Sequence, residues 1–194
     1  MSSPESPFAG ELFEALKGMA EVLNLKSTDY ALIGGLGLAI RGPLRSTRDV
    51  DLLLTVNQID LPPLLDDLKE RGFSLDVVDC IRQWRDDHLL EIYFGQIRVD
   101  WLKANLPIFQ EILRRAKWED IDGNSIRVGD AESLIILKLI AFRPRDQEDI
   151  RGILGANSAA LDLDWVREEW AKLEKLDPSR TEAFEQLVEQ FYQS

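Results

Sequence analysis

Asp49 and Asp51 stand two apart in the run Arg45-Ser46-Thr47-Arg48-Asp49-Val50-Asp51-Leu52-Leu53-Leu54, at the head of a strand-like stretch. Side chains of a strand alternate between its faces, so the two carboxylates project from the same side. Close carboxylates repel each other, and burying them without a positive partner is costly. A divalent cation is a natural occupant, because hard ions take carboxylate oxygens. A strand-leading Asp-x-Asp is equally open to a structural or solvated reading. A third acid, Asp100, falls in Ile97-Arg98-Val99-Asp100-Trp101, where Ile97, Val99 and Trp101 share one face and Arg98 and Asp100 the other. If that strand neighbours the first, three carboxylates suit two divalent ions about 4 Å apart, an arrangement for in-line phosphoryl displacement.

Upstream, Ile33-Gly34-Gly35 supplies a complementary element. Glycine lets a phosphate approach the backbone, and the amides opening the next helix face it as donors. Tight strand-to-helix turns also use such pairs for geometry alone.

The elements that must position these residues follow from periodicity and turn chemistry. Phe8, Leu12, Leu16, Met19 and Leu23 recur at helical spacing, which predicts an amphipathic helix over 8–25. A short buried strand over 29–33 turns at Gly34-Gly35 into a helical stretch, 36–40, closing near Gly42-Pro43. Residues 50–56 are apolar almost throughout and read as a central strand. A helix over 61–71 has Asp60 as its cap, Pro62 and Pro63 in its first turn and Gly72 at its end. A third strand is expected over 74–78, then a hairpin of 89–94 and 97–102 joined by Gly95-Gln96 in a type II′ turn. A helix over 106–116 and a small hairpin about Asp122-Gly123-Asn124 follow. Beyond Asp130 the pattern is helical, in segments 131–142, 146–154, 164–176 and 179–193. The expectation is an α/β (α+β) fold: a mixed sheet flanked by helices over 1–129, with a C-terminal helical region, 130–194, packed on it.

The formal charge of -12 argues against extended nucleic-acid binding, which needs a basic face, though it leaves room for a local basic pocket. Cys80 is the only cysteine, so no internal disulfide forms, and the start lacks the charged and apolar regions of a signal peptide. The most apolar stretch, 134–142, is short and contains Lys138, too little to span a bilayer. A cytoplasmic protein without membrane contact is expected. His88 has no second histidine or cysteine to make a zinc site.

Ile33-Gly34-Gly35, thirteen further residues, Asp49-Val50-Asp51-Leu52, and Asp100 on a later strand together resemble the signature of the DNA polymerase beta-type nucleotidyltransferase superfamily. More narrowly, Arg45-x-Thr47-x-Asp49-x-Asp51 and the stretch from Lys138 through Arg143, Asp146 and Asp149 resemble minimal bacterial nucleotidyltransferases related to abortive-infection toxins. The resemblance covers residues 30–154. It implies a nucleotidyltransferase-like sheet and two Mg2+ or Mn2+ ions on Asp49, Asp51 and Asp100, with Asp100 also helping to deprotonate an acceptor. Gly34, Gly35 and Thr47 would line the triphosphate, and Arg45, Arg48 and Lys138 would meet its charge. Arg45 and Arg48 read equally well as partners of nearby acids, and Lys138 as the snorkelling edge of a buried helix. Asp146 and Asp149, three apart, are expected to fix Arg143, Arg145 or a loop rather than a metal.

The implied reaction moves a nucleoside monophosphate from an NTP such as ATP to an acceptor hydroxyl on a small molecule, a protein or an RNA end. Pyrophosphate is released. Two other readings stay open: a nucleotidyltransferase-like module that binds a nucleotide or a partner without turnover, and a toxin held by an antitoxin protein.

Overall fold

The computed structural model describes residues 7–42, 47–157, 160–173 and 177–192. Arg45 and the end of the turn at Gly42-Pro43 lie outside them. The element order is α1 (Pro7–Leu25), β1 (Asp29–Ile33), α2 (Gly34–Arg41), β2 (Asp49–Thr55), α3 (Leu61–Glu70), α4 (Val77–Asp86), β3 (Leu89–Phe94) and β4 (Ile97–Lys103). Then come α5 (Pro107–Arg115), β5 (Lys117–Ile121), β6 (Asn124–Val128), α6 (Ala131–Ala141), α7 (Pro144–Ala156), α8 (Leu163–Ala171) and α9 (Pro178–Tyr192).

Six strands form one mixed sheet in the order β3-β4-β2-β1-β6-β5. Strand β2 is central, antiparallel to β1 and parallel to β4. Its Leu52, Leu53 and Leu54 are all buried because the sheet is covered on both sides. Leu52 and Leu54 join a core with α1, α3 and α4; Leu53 joins a second core with α2 and α5 to α9. Each such leucine contributes roughly 1.5–3 kcal/mol of burial. The C-terminal helices thus share one apolar core with the sheet face that carries Leu53.

Local chemistry explains the turns. Gly95 adopts φ +55 between β3 and β4 while Gln96 does not take positive φ, as a type II′ turn requires. Asp122 (φ +49) and Gly123 (φ +78) make the β5–β6 turn, where the Asp120 carboxylate accepts the Gly123 N–H at 3.0 Å.

The expected strand over 74–78 is corrected to a single bridge, Ser74 to Tyr93, followed by α4. Asp76 caps that helix by accepting the Asp79 N–H at 2.9 Å. Val77, Cys80, Ile81 and Trp84 then recur at helical spacing against the first core. Leu75, Val77 and Val78 in so short a stretch fit either period, and the cap decides between them. Asp60, expected to cap α3, makes no such bond; its carboxylate accepts from Asn57 instead. No helix among the described residues is long and apolar enough to cross a membrane.

Candidate active site

Asp49 and Asp51 lie on the β2 face shared with Leu53, at the end of the strand where the second core gives out. The parallel register sets Asp49 beside Arg98 and Asp51 beside Asp100. Neighbouring strands run about 4.8 Å apart, so the three carboxylates open on one side of the sheet. Strand β3 adds Glu91 beside Asp100.

The turn from β1 into α2 closes over this end. Gly34 takes φ +60, and a Cβ built on it would sit 2.0 Å from Asp51 Oδ2. The Gly35 backbone N–H donates to the Asp51 carboxylate. Ile33, at the helix N-cap, offers no capping side chain, and Asp51 takes the Gly35 amide of the first turn of α2. A Cβ on Gly35 would come within 2.6 Å of Thr47 Oγ1, which brings Thr47 to the same rim.

That cavity measures about 510 Å³. Gly34, Gly35, Thr47, Asp49 and Asp51 form one side, and Arg48, Arg98, Lys138, Arg143 and Arg145 supply the basic groups. Five cations and two carboxylates line it, and Arg98, Lys138 and Arg143 are at the same time paired with Asp49, Asp100, Asp146 and Asp149. The lining is thus a basic basin on an otherwise acidic chain, with part of its charge already shared. Such a basin suits a polyphosphate.

Lys138 sits in a buried cluster: its Nζ is 3.1 Å from Asp146 Oδ1 and 2.8 Å from Asp149 Oδ2. Its charge is therefore shared between two α7 carboxylates and the cavity. Asp146 also accepts from the Arg143 backbone N–H at 2.9 Å and side-chain Nε at 2.7 Å, which fixes the start of α7. Burial works to raise the Asp146 pKa, but the Arg143 and Lys138 hydrogen bonds outweigh it and leave the carboxyl at about 2.

A depressed acid stabilises the fold above its unfolded pKa of about 3.9 and ceases to do so as pH falls through the folded value. About 2 kcal/mol of stability is expected to disappear between pH 4 and 2 from this group. Denaturant unfolding of wild type and Asp146→Asn across that range measures it. Parallel pH profiles for the two proteins would sink the assignment.

Arg98 was legible only as a face-mate of Asp100. In the fold its Nη2 donates to Asp49 Oδ2 at 3.1 Å, and its Nε lies 3.1 Å from Asp100 Oδ2 without hydrogen-bond alignment. Nη1 stands 3.9 Å from Glu91 Oε2. The signal that finds Arg98 is the register itself: once Asp51 pairs with Asp100, the residues two earlier must pair too. Arg143 and Arg145, read from sequence only as possible partners of Asp146 and Asp149, also line the basin.

Charge crowding persists despite Arg98. Burial pushes the Asp51 carboxyl above its ordinary range, and the Asp49 charge adds to this against the Gly35 N–H, Lys138 and Arg98. Burial, joined by the charges of Asp51, Glu91 and Asp49, pushes Asp100 up to about 6 against the pull of Arg98.

Among the described residues no three His, Cys, Asp or Glu side chains close up as a ready metal cluster. Arg98 spans Asp49 and Asp100 instead. The donor chemistry nevertheless fits a hard divalent cation: oxygen ligands only, on one face, with Asp51 and Asp100 raised by burial first and by neighbouring carboxylates second.

No curated protein matches the chain by sequence. In three dimensions it is similar to ANT(2'')-Ia solved with adenylyl-2''-tobramycin, at TM-score 0.58 and 15% identity over 86% of this chain and 98% of that one. It is also similar to JHP933 from Helicobacter pylori, at TM-score 0.51 and 16% identity over 95% of this chain and 82% of that one. At these identities the likeness is one of fold: a mixed sheet flanked by helices with further helices at the C-terminus. A family defined by sequence matches residues 10–192, nearly the whole described chain, and on that match the protein belongs to the nucleotidyltransferases of unknown function (DUF6036).

Proposed function

We propose that the protein is a metal-dependent nucleotidyltransferase that moves a nucleoside monophosphate from an NTP to an acceptor hydroxyl. The observation that carries this reading is the β2–β4 register, which aligns Asp51 with Asp100 and keeps Asp49 on their face beside a basic cavity. Family membership supports the reaction class.

The chain's own residues divide the work. The side-chain-free turn at Gly34 and Gly35, with Thr47, lines the triphosphate, and Arg48, Arg98, Lys138, Arg143 and Arg145 draw its charge into the cavity. Asp100, beside the position of the attacking hydroxyl, accepts its proton. The hydroxyl oxygen bonds to the α-phosphorus. The bond from that phosphorus to the oxygen bridging the β-phosphate breaks, and pyrophosphate leaves with the electron pair. Asp49, Asp51 and Asp100 would hold two Mg2+ or Mn2+ ions, which when bound supply Lewis acidity at the phosphates.

Incubation with α-labelled NTPs, Mg2+ or Mn2+ and a panel of small-molecule, protein and RNA acceptors tests the proposal. Wild type should transfer label with stoichiometric pyrophosphate, and Asp100→Ala should not. No transfer by wild type to any acceptor, or equal transfer by the variant, overturns it.

A further inference from the structure

A second cavity, of about 780 Å³, opens on the other side of the same carboxylates and shares Asp51 with the basic basin. Its volume lies in the range of about 300–1,000 Å³ that small-molecule sites occupy. Asp100 also faces it, so a molecule seated there lies across the candidate reacting position from the triphosphate. Two cavities meeting at one carboxylate, Asp51, with Asp100 beside it, are what an in-line displacement between separately bound reactants needs.

The charge of this cavity is opposite to its neighbour's. Asp51, Asp87, Glu91 and Asp100 line it and no lysine or arginine does among the described residues, although Arg98 reaches Asp100 at 3.1 Å and Glu91 at 3.9 Å from outside the lining. Ile33 and Leu89 add apolar wall, and Leu89 is 53% exposed, so its side chain is open to a carbon skeleton. Glu91 is held in position by the Tyr93 hydroxyl, which donates to it at 2.6 Å. The Gln83 side chain accepts the Glu91 backbone N–H at 3.2 Å, which ties the end of α4, and with it Asp87, to this strand. A phosphorylated or nucleic-acid acceptor would meet four carboxylates here. A cationic one would be attracted by them.

Resting on the nucleotidyltransferase reading, we propose that this cavity takes the acceptor and that the acceptor is a small hydroxylated molecule bearing more than one ammonium group. Its ammonium groups pair with Asp87 and Glu91, its carbon skeleton lies on Leu89 and Ile33, and one hydroxyl points at Asp100. That hydroxyl oxygen forms the new bond to the α-phosphorus, its proton goes to Asp100, and pyrophosphate departs from the far side.

The test uses the full chain with Mg2+, α-labelled ATP and three matched sugars: the disaccharide of glucosamine, its N,N′-diacetyl form and cellobiose. These share hydroxyl groups and differ in positive charge. Transfer or calorimetric binding should favour the diamine by at least about tenfold, a ratio that corresponds to roughly 1.4 kcal/mol, and should weaken as salt rises. The double variant Asp87→Asn/Glu91→Gln should lose that preference while Mg-ATP binding, measured separately, stays unchanged.

If Mg-ATP binds and label moves equally well to the acetylated or neutral sugar, or to none of the three, the acceptor inference falls and the transferase reading is untouched. An unchanged diamine preference in the double variant also overturns it. If neither Mg-ATP binding nor transfer to any acceptor occurs, the nucleotidyltransferase reading fails first.

Discussion

Replacing Asp51 with asparagine should lower nucleotidyl transfer by about three orders of magnitude, roughly 4 kcal/mol in the barrier, without lowering the stability of the metal-free protein. The two effects separate because Asp51 is placed for charge rather than for packing. It is half-buried beside Asp49 and Asp100, and burial together with the Asp49 charge already raises its pKa. The amide keeps an oxygen to accept the Gly35 N–H and keeps the volume of the side chain. It removes one of three crowded negative charges. Thermal unfolding in a chelating buffer should therefore show a midpoint equal to or above that of wild type, while the transfer assay shows the loss. A variant that is fully active, or one that loses activity because it unfolds, would contradict the placement of Asp51 at the reacting centre. Asp51 would then be a structural acid.

The second large effect is expected at Gly34. Alanine there places a methyl 2.0 Å from Asp51 Oδ2, 2.4 Å from its Cγ and 2.6 Å from its Cβ, in a backbone at φ +60 that alanine disfavours. The backbone conformation alone costs about 1–2 kcal/mol, and relieving the overlap must move either the α2 turn or the Asp51 side chain. A destabilisation of roughly 2–4 kcal/mol and a loss of activity of at least about a hundredfold are expected. The clash and the conformation can be told apart. In an Asp51→Gly background the obstructing atoms are gone, so adding Gly34→Ala should cost only the conformational part. Unfolding free energies of the four proteins measure the difference. If Gly34→Ala costs as much in the Asp51→Gly background as in wild type, the close approach of this turn to Asp51 is not what glycine serves.

Both expectations depend on residues whose types were readable at the outset but whose meeting was not. Periodicity and turn residues identified most elements: the opening helix, the central strand, both hairpins and the helical C-terminal third. Each of these depends on contacts within a few residues of chain. Over 74–78 a short apolar alternation does not distinguish strand from helix, and the Asp76 cap decides for α4. Asp60 failed as a cap for a similar reason: the right residue type stood in the right place, but its side chain was taken by Asn57.

At the site, the sequence alone determined that Asp49 and Asp51 share a face, that Gly34-Gly35 turns sharply, and that Arg98 and Asp100 lie on the same side of their strand. These follow from the period of two and from glycine's freedom at positive φ, which are properties of the local backbone. Only the tertiary structure decided that β4 lies parallel to β2 in the register that brings Asp100 to Asp51 and Arg98 to Asp49. It also decided that α7 delivers Asp146 and Asp149 to Lys138, and that Asp87 and Glu91 open a second, acidic cavity behind the carboxylates. Strand neighbours and helix docking are set by how buried faces fit across dozens of residues of intervening chain. That fit leaves no mark at the positions it brings together.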